Sequence, residues 1–557
     1  MKAIVDSFDR QIVPRWRDSA HTIGSPDLLP LRARTGVMEW ESGIEGKAAT
    51  LVEQQSIGVA ADLANSAILE RRQDLLAVAA KTLLAPGAGS PEYLANQIRK
   101  QLEQPIGKEE GVGSGHDTPR REEIAHLRQQ LLIEPRNPVV LMDLARLQAT
   151  SGHREKAEKL ARQALALAPN NRWLLRSTSK LLTAHGKPDE AHRLLIRSGA
   201  TLSDPWLIAA ELATAQASDR SPKFWRQAQS FLEARAFAPT HLSELASAIG
   251  TIDVLDGKIK KAKERFHQSL KAPTENALAQ IKWAEGKIRN GFNLEKLISN
   301  NRLAYEAAFR TAYSERDMGK ALQLAQEWMA DEPFAPEPVA NVTYVASLLD
   351  DYEMAIRSTE RELRLAATRE ICIMNNRVYA LMSGGKAFTD EQAGAELSDW
   401  VSNITRDLRE NRIQDVGDQV HALANLGLLF YRAGELELGR KFYDQSAELT
   451  KTAKARQSES AVLTYHAREA ILSKAPWTSE IMERAKRSIM AGALPGPAFY
   501  YAKVEALSKA PDKAAEILSR ESANDFRVNL PKVIPAYRVE KTENGLILWV
   551  PKKVDGT

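Results

Sequence analysis

The sequence predicts an all-α protein built as a solenoid of stacked helical hairpins, and three observations carry that prediction. A small residue returns at a nearly constant interval. Ala157, Ala191, Ala228 and Ala262 lie 34, 37 and 34 positions apart, and Ala321 and Ala355 are again 34 apart. Each alanine follows a glycine or turn and a charged step, and each sits in an amphipathic helix. Proline then closes a unit, as Pro169 does. A period near 34 residues marks helix-turn-helix units that bury their apolar faces only by stacking on one another.

A compact domain of 557 residues would strain a single core, whereas in a solenoid each repeat packs only on its neighbours. Basic residues number 76 and acidic residues 72, a net charge of +4 that argues against a dedicated nucleic-acid binder. The single cysteine, Cys372, forbids an intrachain disulfide and suits a reducing compartment. The opening MKAIVDSFDRQIVPRWRD has no apolar core of the kind a secretory signal needs, and no apolar run is long enough to cross a bilayer. The expectation is a cytoplasmic protein without membrane contact.

Residues 1–103 form the expected helical N-terminal domain. Leu51, Ile57, Leu63, Ile68, Leu69, Leu75, Leu76 and Ala79 keep close to helical spacing, and APGAGSP at 85–91 breaks the run. Ser90 and Pro91 then open a second helix carrying Tyr93, Ile98 and Leu102. Residues 104–121, rich in Gly, Pro and charge, read as a flexible linker.

Residues 122–520 are the expected array. Its clearest unit runs from Pro138 to Asn171, with Leu144-Ala145 on the first helix, Gly152 at the turn and Ala157, Ala161 and Ala164 along one side of the second. Small side chains let two helices cross closely, and the larger apolar residues fill the groove to the next hairpin. Gly186 with Ala191, Ala228 with Phe231, Gly257 with Ala262 and Phe266, and Ala308 with Ala321 and Ala325 repeat the arrangement. Val342, Tyr352 and Ala355 follow, then residues 420–449 with Leu426-Gly427, Gly434, Gly439 and Tyr443. A final pair is expected over 497–520, with Ala514 and Ala515 in its second helix. In residues 521–557, YRVEK-TENG-LILWV reads as a β-hairpin turning at Asn544-Gly545, placed to cap the array.

These residues resemble tetratricopeptide repeats, of bacterial type, over roughly residues 122–520, which spans about six to nine hairpins at that period. The aromatic common early in the first helix is often missing: Leu141 and Val339 stand in its place. The resemblance implies a right-handed superhelix whose first helices line a concave groove, and a function in holding peptides, tails or partner domains.

Several peptide-binding members of that family carry a groove-facing asparagine just before the small-residue step of the first helix. Asn341, Asn376 and Asn425 match it, and Tyr344, Leu428 and Tyr431 share their face. An amide can both donate to and accept from a peptide backbone. The alternative is that these asparagines are simply solvated. The family's clamp for chaperone tails is not supported, because Asp143 and Ser177 stand where asparagines would help. Arg146, Arg176 and Lys180 remain candidates for an acid-binding patch, against the alternative of a solvated charged face.

Chemistry-bearing motifs are weak. GVGSG at 111–115 lacks the Lys-Ser/Thr of a phosphate loop and reads as linker. His185, His192 and His466 read as helix-surface residues, Cys372 as a small core residue, and Asp350-Asp351 as turn and capping residues. Trp16, Arg17 and Trp40 mark an N-terminal arm that either anchors a partner or folds back on the chain; Trp549 poses the same choice.

The sequence therefore points to a non-catalytic scaffold or adaptor, with no metal and no cofactor, that holds a protein or peptide partner in its groove. One alternative is a subunit of a larger complex that docks a separate enzyme through residues 1–103. Another is an enzyme hidden in that domain, where Asp6, Asp9, Asp18, Glu39 and Glu41 could meet at a metal.

Overall fold

The structure is a computed structural model that describes residue 16 and residues 44–69, 72–90, 92–103, 117–511, 537–541 and 547–551, with short breaks at 235–236, 289–290, 302, 334, 366–370 and 452–457. Its fold is all-α apart from the two short strands near the C-terminus. Contacts divide the chain into two units, Gln11–Asn293 and Leu294–Thr557 with Met1–Arg10, so a unit boundary falls inside the expected array.

In the N-terminal unit, α1 (Ile44–Gln54), α2 (Ile57–Leu69), α3 (Gln73–Leu83) and α4 (Glu92–Glu103) form a small bundle. Leu51, Leu63, Leu76, Ala79 and Leu83 make its core. Residues 104–116 lie outside the described residues, and the last five positions of the expected linker belong to α5 (Asp117–Ile133). Four helix pairs follow: α6 (Pro138–Thr150) with α7 (Arg154–Leu167), α8 (Arg172–Ala184) with α9 (Pro188–Arg197), α10 (Pro205–Ala217) with α11 (Trp225–Ala234), and α12 (Pro239–Leu255) with α13 (Ile259–Ser269). Helix α14 (Glu275–Glu285) closes the series.

The C-terminal unit begins with α15 (Glu295–Asn300) and continues through α16 (Tyr305–Ser314) with α17 (Met318–Asp331) and α18 (Pro336–Leu348) with α19 (Tyr352–Leu365). Three more pairs are α20 (Ile371–Ser383) with α21 (Glu391–Arg409), α22 (Val416–Arg432) with α23 (Leu436–Leu449), and α24 (Glu459–Leu472) with α25 (Thr478–Met490). Helix α26 (Pro495–Lys509) is last. Strands β1 (Tyr537–Lys541) and β2 (Ile547–Pro551) pair antiparallel, with Val539 opposite Trp549. The turn signal Asn544-Gly545 and the expected helix bearing Ala514 and Ala515 lie outside the described residues.

Local chemistry sets the helix starts. Asn137 accepts from the Val139 and Val140 amides at 3.1 and 3.2 Å, and Pro138 occupies the first helical position, where no donor is needed. Asp204 before Pro205, Thr274, Asp390 and Asp415 cap their helices in the same way.

Each helix packs on its partner, and first helices also pack on first helices: α6, α8, α10, α12 and α14 form one series, and α18, α20, α22, α24 and α26 the other. The periodic alanines, Ala157, Ala191, Ala228, Ala262, Ala321 and Ala355, are all completely buried. The tightest crossing is reciprocal. A Cβ on Gly427 of α22 would lie 2.6 Å from the Tyr443 ring of α23, and one on Gly439 of α23 would lie 2.6 Å from the Tyr431 ring of α22. Each glycine makes room for the other helix's tyrosine.

This crossing makes a prediction whose sign opposes helix propensity. Alanine in place of a helical glycine is ordinarily favourable by about 1 kcal/mol, whereas overpacking a tight core costs about 1–3 kcal/mol. Gly427→Ala is expected to lower the urea midpoint of the C-terminal unit. Gly319→Ala, where the nearest atom to the new Cβ lies 3.9 Å away, is expected to leave it unchanged or raise it. A higher midpoint for Gly427→Ala would show that the close approach does not control the crossing.

Candidate functional site

The inner side of the first helices is where the sequence places its candidate residues, and in the C-terminal unit many polar groups on that side bond to one another. Asn425 on α22 donates from Nδ2 to the Asn375 carbonyl on α20 at 2.8 Å. Asn376 on α20 donates to the Ala340 carbonyl on α18 at 3.5 Å. Asn341, Asn376 and Asn425 are all buried, as are Tyr344, Leu428 and Tyr431. The Asn376 and Asn425 amides do read main chain, but it is the main chain of the preceding first helix.

The centre of this face is Arg468 on α24, a completely buried guanidinium. Its Nη1 donates to the hydroxyls of Tyr379 at 2.6 Å, Tyr500 at 3.0 Å and Tyr352 at 3.2 Å. Its Nη2 donates to Ser383 Oγ at 3.1 Å, and its Nε to Glu469 Oε1 at 2.7 Å. Glu469 also takes Arg432 Nη2 at 3.0 Å. The Tyr352 and Tyr500 hydroxyls in turn donate hydrogen bonds to Asp350 Oδ1, at 2.6 and 2.8 Å. Burial pushes the hydroxyls of Tyr352, Tyr379 and Tyr500 above the ordinary phenol value, so they stay protonated and can donate. Asp350 sits at the turn after α18 with φ of 61°, in the left-handed region that aspartate tolerates better than most residues. It is thus a turn residue, as its position suggests, and also an acceptor in the core.

Helix α26 packs on α24 and also reaches α16 and α18. The Gly496 amide donates to the Tyr313 hydroxyl at 3.2 Å. Tyr500 enters the cluster just described, and Lys503 Nζ donates to the Leu348 carbonyl and to Asp350 Oδ2, both at 3.2 Å.

In the N-terminal unit, Arg176 on α8 pairs with Glu244 on α12 at 2.8 Å and lies over the Trp206 ring, 5.0 Å from its centroid. Trp206 Nε1 donates to His241 Nδ1 at 3.0 Å. Lys180 is buried and Arg146 half-buried, so these three basic residues do not form a freely solvated face. Trp16 is buried, as a fold-back on the chain requires, while Arg17 and Trp40 lie outside the described residues. The acidic group Asp6, Asp9, Asp18, Glu39 and Glu41 and the GVGSG stretch also lie outside them.

The three histidines read as surface residues are a correction. His185 bonds Glu158 Oε1 at 2.9 Å, His192 bonds Glu211 Oε1 at 2.7 Å, and His466 bonds the Tyr431 hydroxyl at 2.9 Å. His192 and His466 are buried, because first and second helices both turn a face inward and a histidine there satisfies one polar partner. Among the described residues, no three His, Cys, Asp or Glu side chains are placed to hold a metal ion, and no helix is long and apolar enough to cross a membrane. The exposed surface carries Lys260 and Lys261 on α13 with Lys258 and Lys271 at its ends, and the apolar Leu132 and Ile133 at the end of α5.

No protein-family model matches the chain, and no curated protein matches it.

Sequence reasoning missed Arg468, Tyr379 and Tyr500, and read Asp350 only as a turn or capping residue. The signal available was an Arg-Glu pair, Arg468-Glu469, set among the apolar residues Ala467, Ala470, Ile471 and Leu472 of a first helix. A buried ion pair there needs partners from other helices.

His466 supplies a pH prediction. Burial between Tyr431 and Tyr443, whose ring stacks on it at 4.6 Å, holds its pKa at about 3 against an ordinary 6.5. Between those values the unfolded chain binds a proton that the folded chain refuses. Stability from this group is complete above pH 6.5 and falls as pH drops through the window. From pH 7.5 to pH 5 the protein should lose about 2 kcal/mol more than a His466→Asn variant does. Parallel pH dependences in urea titrations of the two proteins would show that His466 does not titrate this way.

Proposed function

We propose that the chain is a non-catalytic scaffold of tetratricopeptide type, which holds a protein partner through its stacked helical pairs. One observation carries this reading. In both units first helices pack on first helices, giving an inner face whose amides, hydroxyls and guanidinium groups bond to the main chain and side chains of neighbouring helices. Stacked helical pairs of this kind offer extended surfaces to other proteins. The buried alanines at the crossings hold them in register, as the repeat family's architecture implies. Cys372, buried and the single cysteine, fits work in the cytoplasm.

Because the candidate residues on the inner face already have partners within the chain, an incoming protein meets the outer helices first. The most basic of these is α13, where Lys260 and Lys261 are exposed near its start and Lys271 just past its end. An acidic partner surface is the complement, and such rim charges act chiefly on association rate and salt dependence.

The test is purification of the tagged full chain from native cells after treatment with a lysine-reactive cross-linker. The expected result is a stoichiometric partner, cross-linked at Lys260, Lys261 or Lys271, whose recovery falls in a Lys260→Glu/Lys261→Glu variant. A chain that purifies alone, with no cross-link to another protein, would overturn the scaffold reading.

A further inference from the structure

Helix α26 stands in two relations to the C-terminal unit. It ends the series of first helices by packing on α24, with Val504 and Leu507 buried. It also touches α16 and α18, the opening of the same unit, through contacts spanning 150 to 183 residues of sequence. The second set is made by three side-chain positions, Gly496, Tyr500 and Lys503, spaced four and three apart and therefore on one helix face. Gly496 is required by close approach. A Cβ there would meet the Tyr344 hydroxyl in hard contact and would lie 2.8 Å from the Tyr313 hydroxyl. Its amide, near the start of the helix where the ladder leaves donors over, bonds Tyr313 instead.

The surface that receives this face is organised without it. Arg468 keeps Tyr352, Tyr379, Ser383 and Glu469 if Tyr500 is withdrawn. Asp350 keeps the Tyr352 hydroxyl. The polar contacts that α26 makes across the unit are hydrogen bonds and one ion pair, groups that water can satisfy on release, whereas its contact with α24 joins the Tyr465–Tyr500 ring pair to the Arg468–Tyr500 hydrogen bond.

We propose that α26 is an internal ligand. The surface of Tyr313, Tyr344, Asp350 and Arg468 is a helix-acceptor site. The partner it fits is a helix of another protein that presents a small residue, a hydroxyl-bearing aromatic and a cation at positions i, i+4 and i+7. Such a helix enters when α26 swings out on the 491–494 connection, and α26 holds the site shut otherwise. This rests on the scaffold reading and adds to it the partner's chemistry and the regulation of its entry.

The experiment uses the full-length protein and, as probe, a fluorescein-labelled synthetic peptide of residues 493–511. In wild type, hydrogen exchange should show α26 amides exchanging at least about tenfold faster than those of α24, the mark of a segment that opens alone. The peptide should bind a Gly496→Leu protein at least about tenfold more tightly than wild type, since the internal competitor is displaced. A peptide carrying Lys503→Met should lose at least about tenfold in affinity for that protein. If Gly496→Leu fails to fold, a Lys503→Met protein, which removes the ion pair with Asp350 and the hydrogen bond to the Leu348 carbonyl, takes its place. Exchange of α26 and α24 at one common rate would overturn the proposal. So would a variant whose α26 exchanges freely while the peptide fails to bind. Neither measurement needs a native partner, so a chain that purifies alone and a chain whose α26 is fixed are separate failures.

Discussion

Everything in the C-terminal unit depends on how closely two helices can approach. At the crossing of α22 and α23 the approach is set by two glycines, each receiving the other helix's tyrosine. That exchange buries Tyr431 and Tyr443, and each has a polar consequence. Tyr431 must place its hydroxyl, which accepts from Trp477 at 2.8 Å and meets His466 at 2.9 Å. Tyr443 stacks on the same imidazole. A steric requirement at one crossing thus fixes the position of α24, and α24 carries Arg468. Packing comes first in this chain of causes, and the polar cluster is arranged around what packing leaves.

The cluster itself is costly to build. Removing a guanidinium and its carboxylate from water is repaid only when the geometry satisfies nearly all their donors and acceptors. Arg468 meets that demand with groups from α19, α20, α24 and α26 together. No two of these helices could satisfy it alone. A cluster of this kind adds little net stability compared with an apolar core of equal volume. It does penalise arrangements in which α19 or α20 is misplaced, because the guanidinium would then lose the hydroxyls of Tyr352, or of Tyr379 and Ser383. The periodic alanines make the stacking possible, and the arginine makes one stacking better than its neighbours in register.

Part of this was legible in the sequence. The alanine period located the crossings from Ala157 to Ala355, and the turn and capping residues located the helix starts, because both depend on short-range sterics and hydrogen bonds. Proline and glycine marked the break before α4, although the expected linker ran five residues into α5. The inner face was only half legible. Periodicity says which side of a first helix turns inward, and Asn341, Asn376 and Asn425 are on that side. Whether the space beyond holds solvent or another helix depends on how strongly the stack curls, and small differences in crossing angle accumulate over several pairs. Nothing local to Asn425 indicates that the Asn375 carbonyl, 50 residues away, will be its partner. The histidines were misread for the same reason. A lone polar residue on a helix looks solvated until the facing helix supplies Glu211 or Tyr431.

Asp350 shows how the two kinds of information join. Its place after α18 and its left-handed backbone belong to the turn, and any short polar residue or glycine would serve there. Only aspartate also accepts two tyrosine hydroxyls and a lysine. Glycine at this position would relieve the backbone and leave Tyr352, Tyr500 and Lys503 facing a missing acceptor. Asparagine would keep the turn and one acceptor oxygen but would lose the charge opposite Lys503. The position is therefore fixed by a long-range demand laid over a local one. The local demand can be read from the loop alone, whereas the other emerges only when α26 has come back across the unit to meet it.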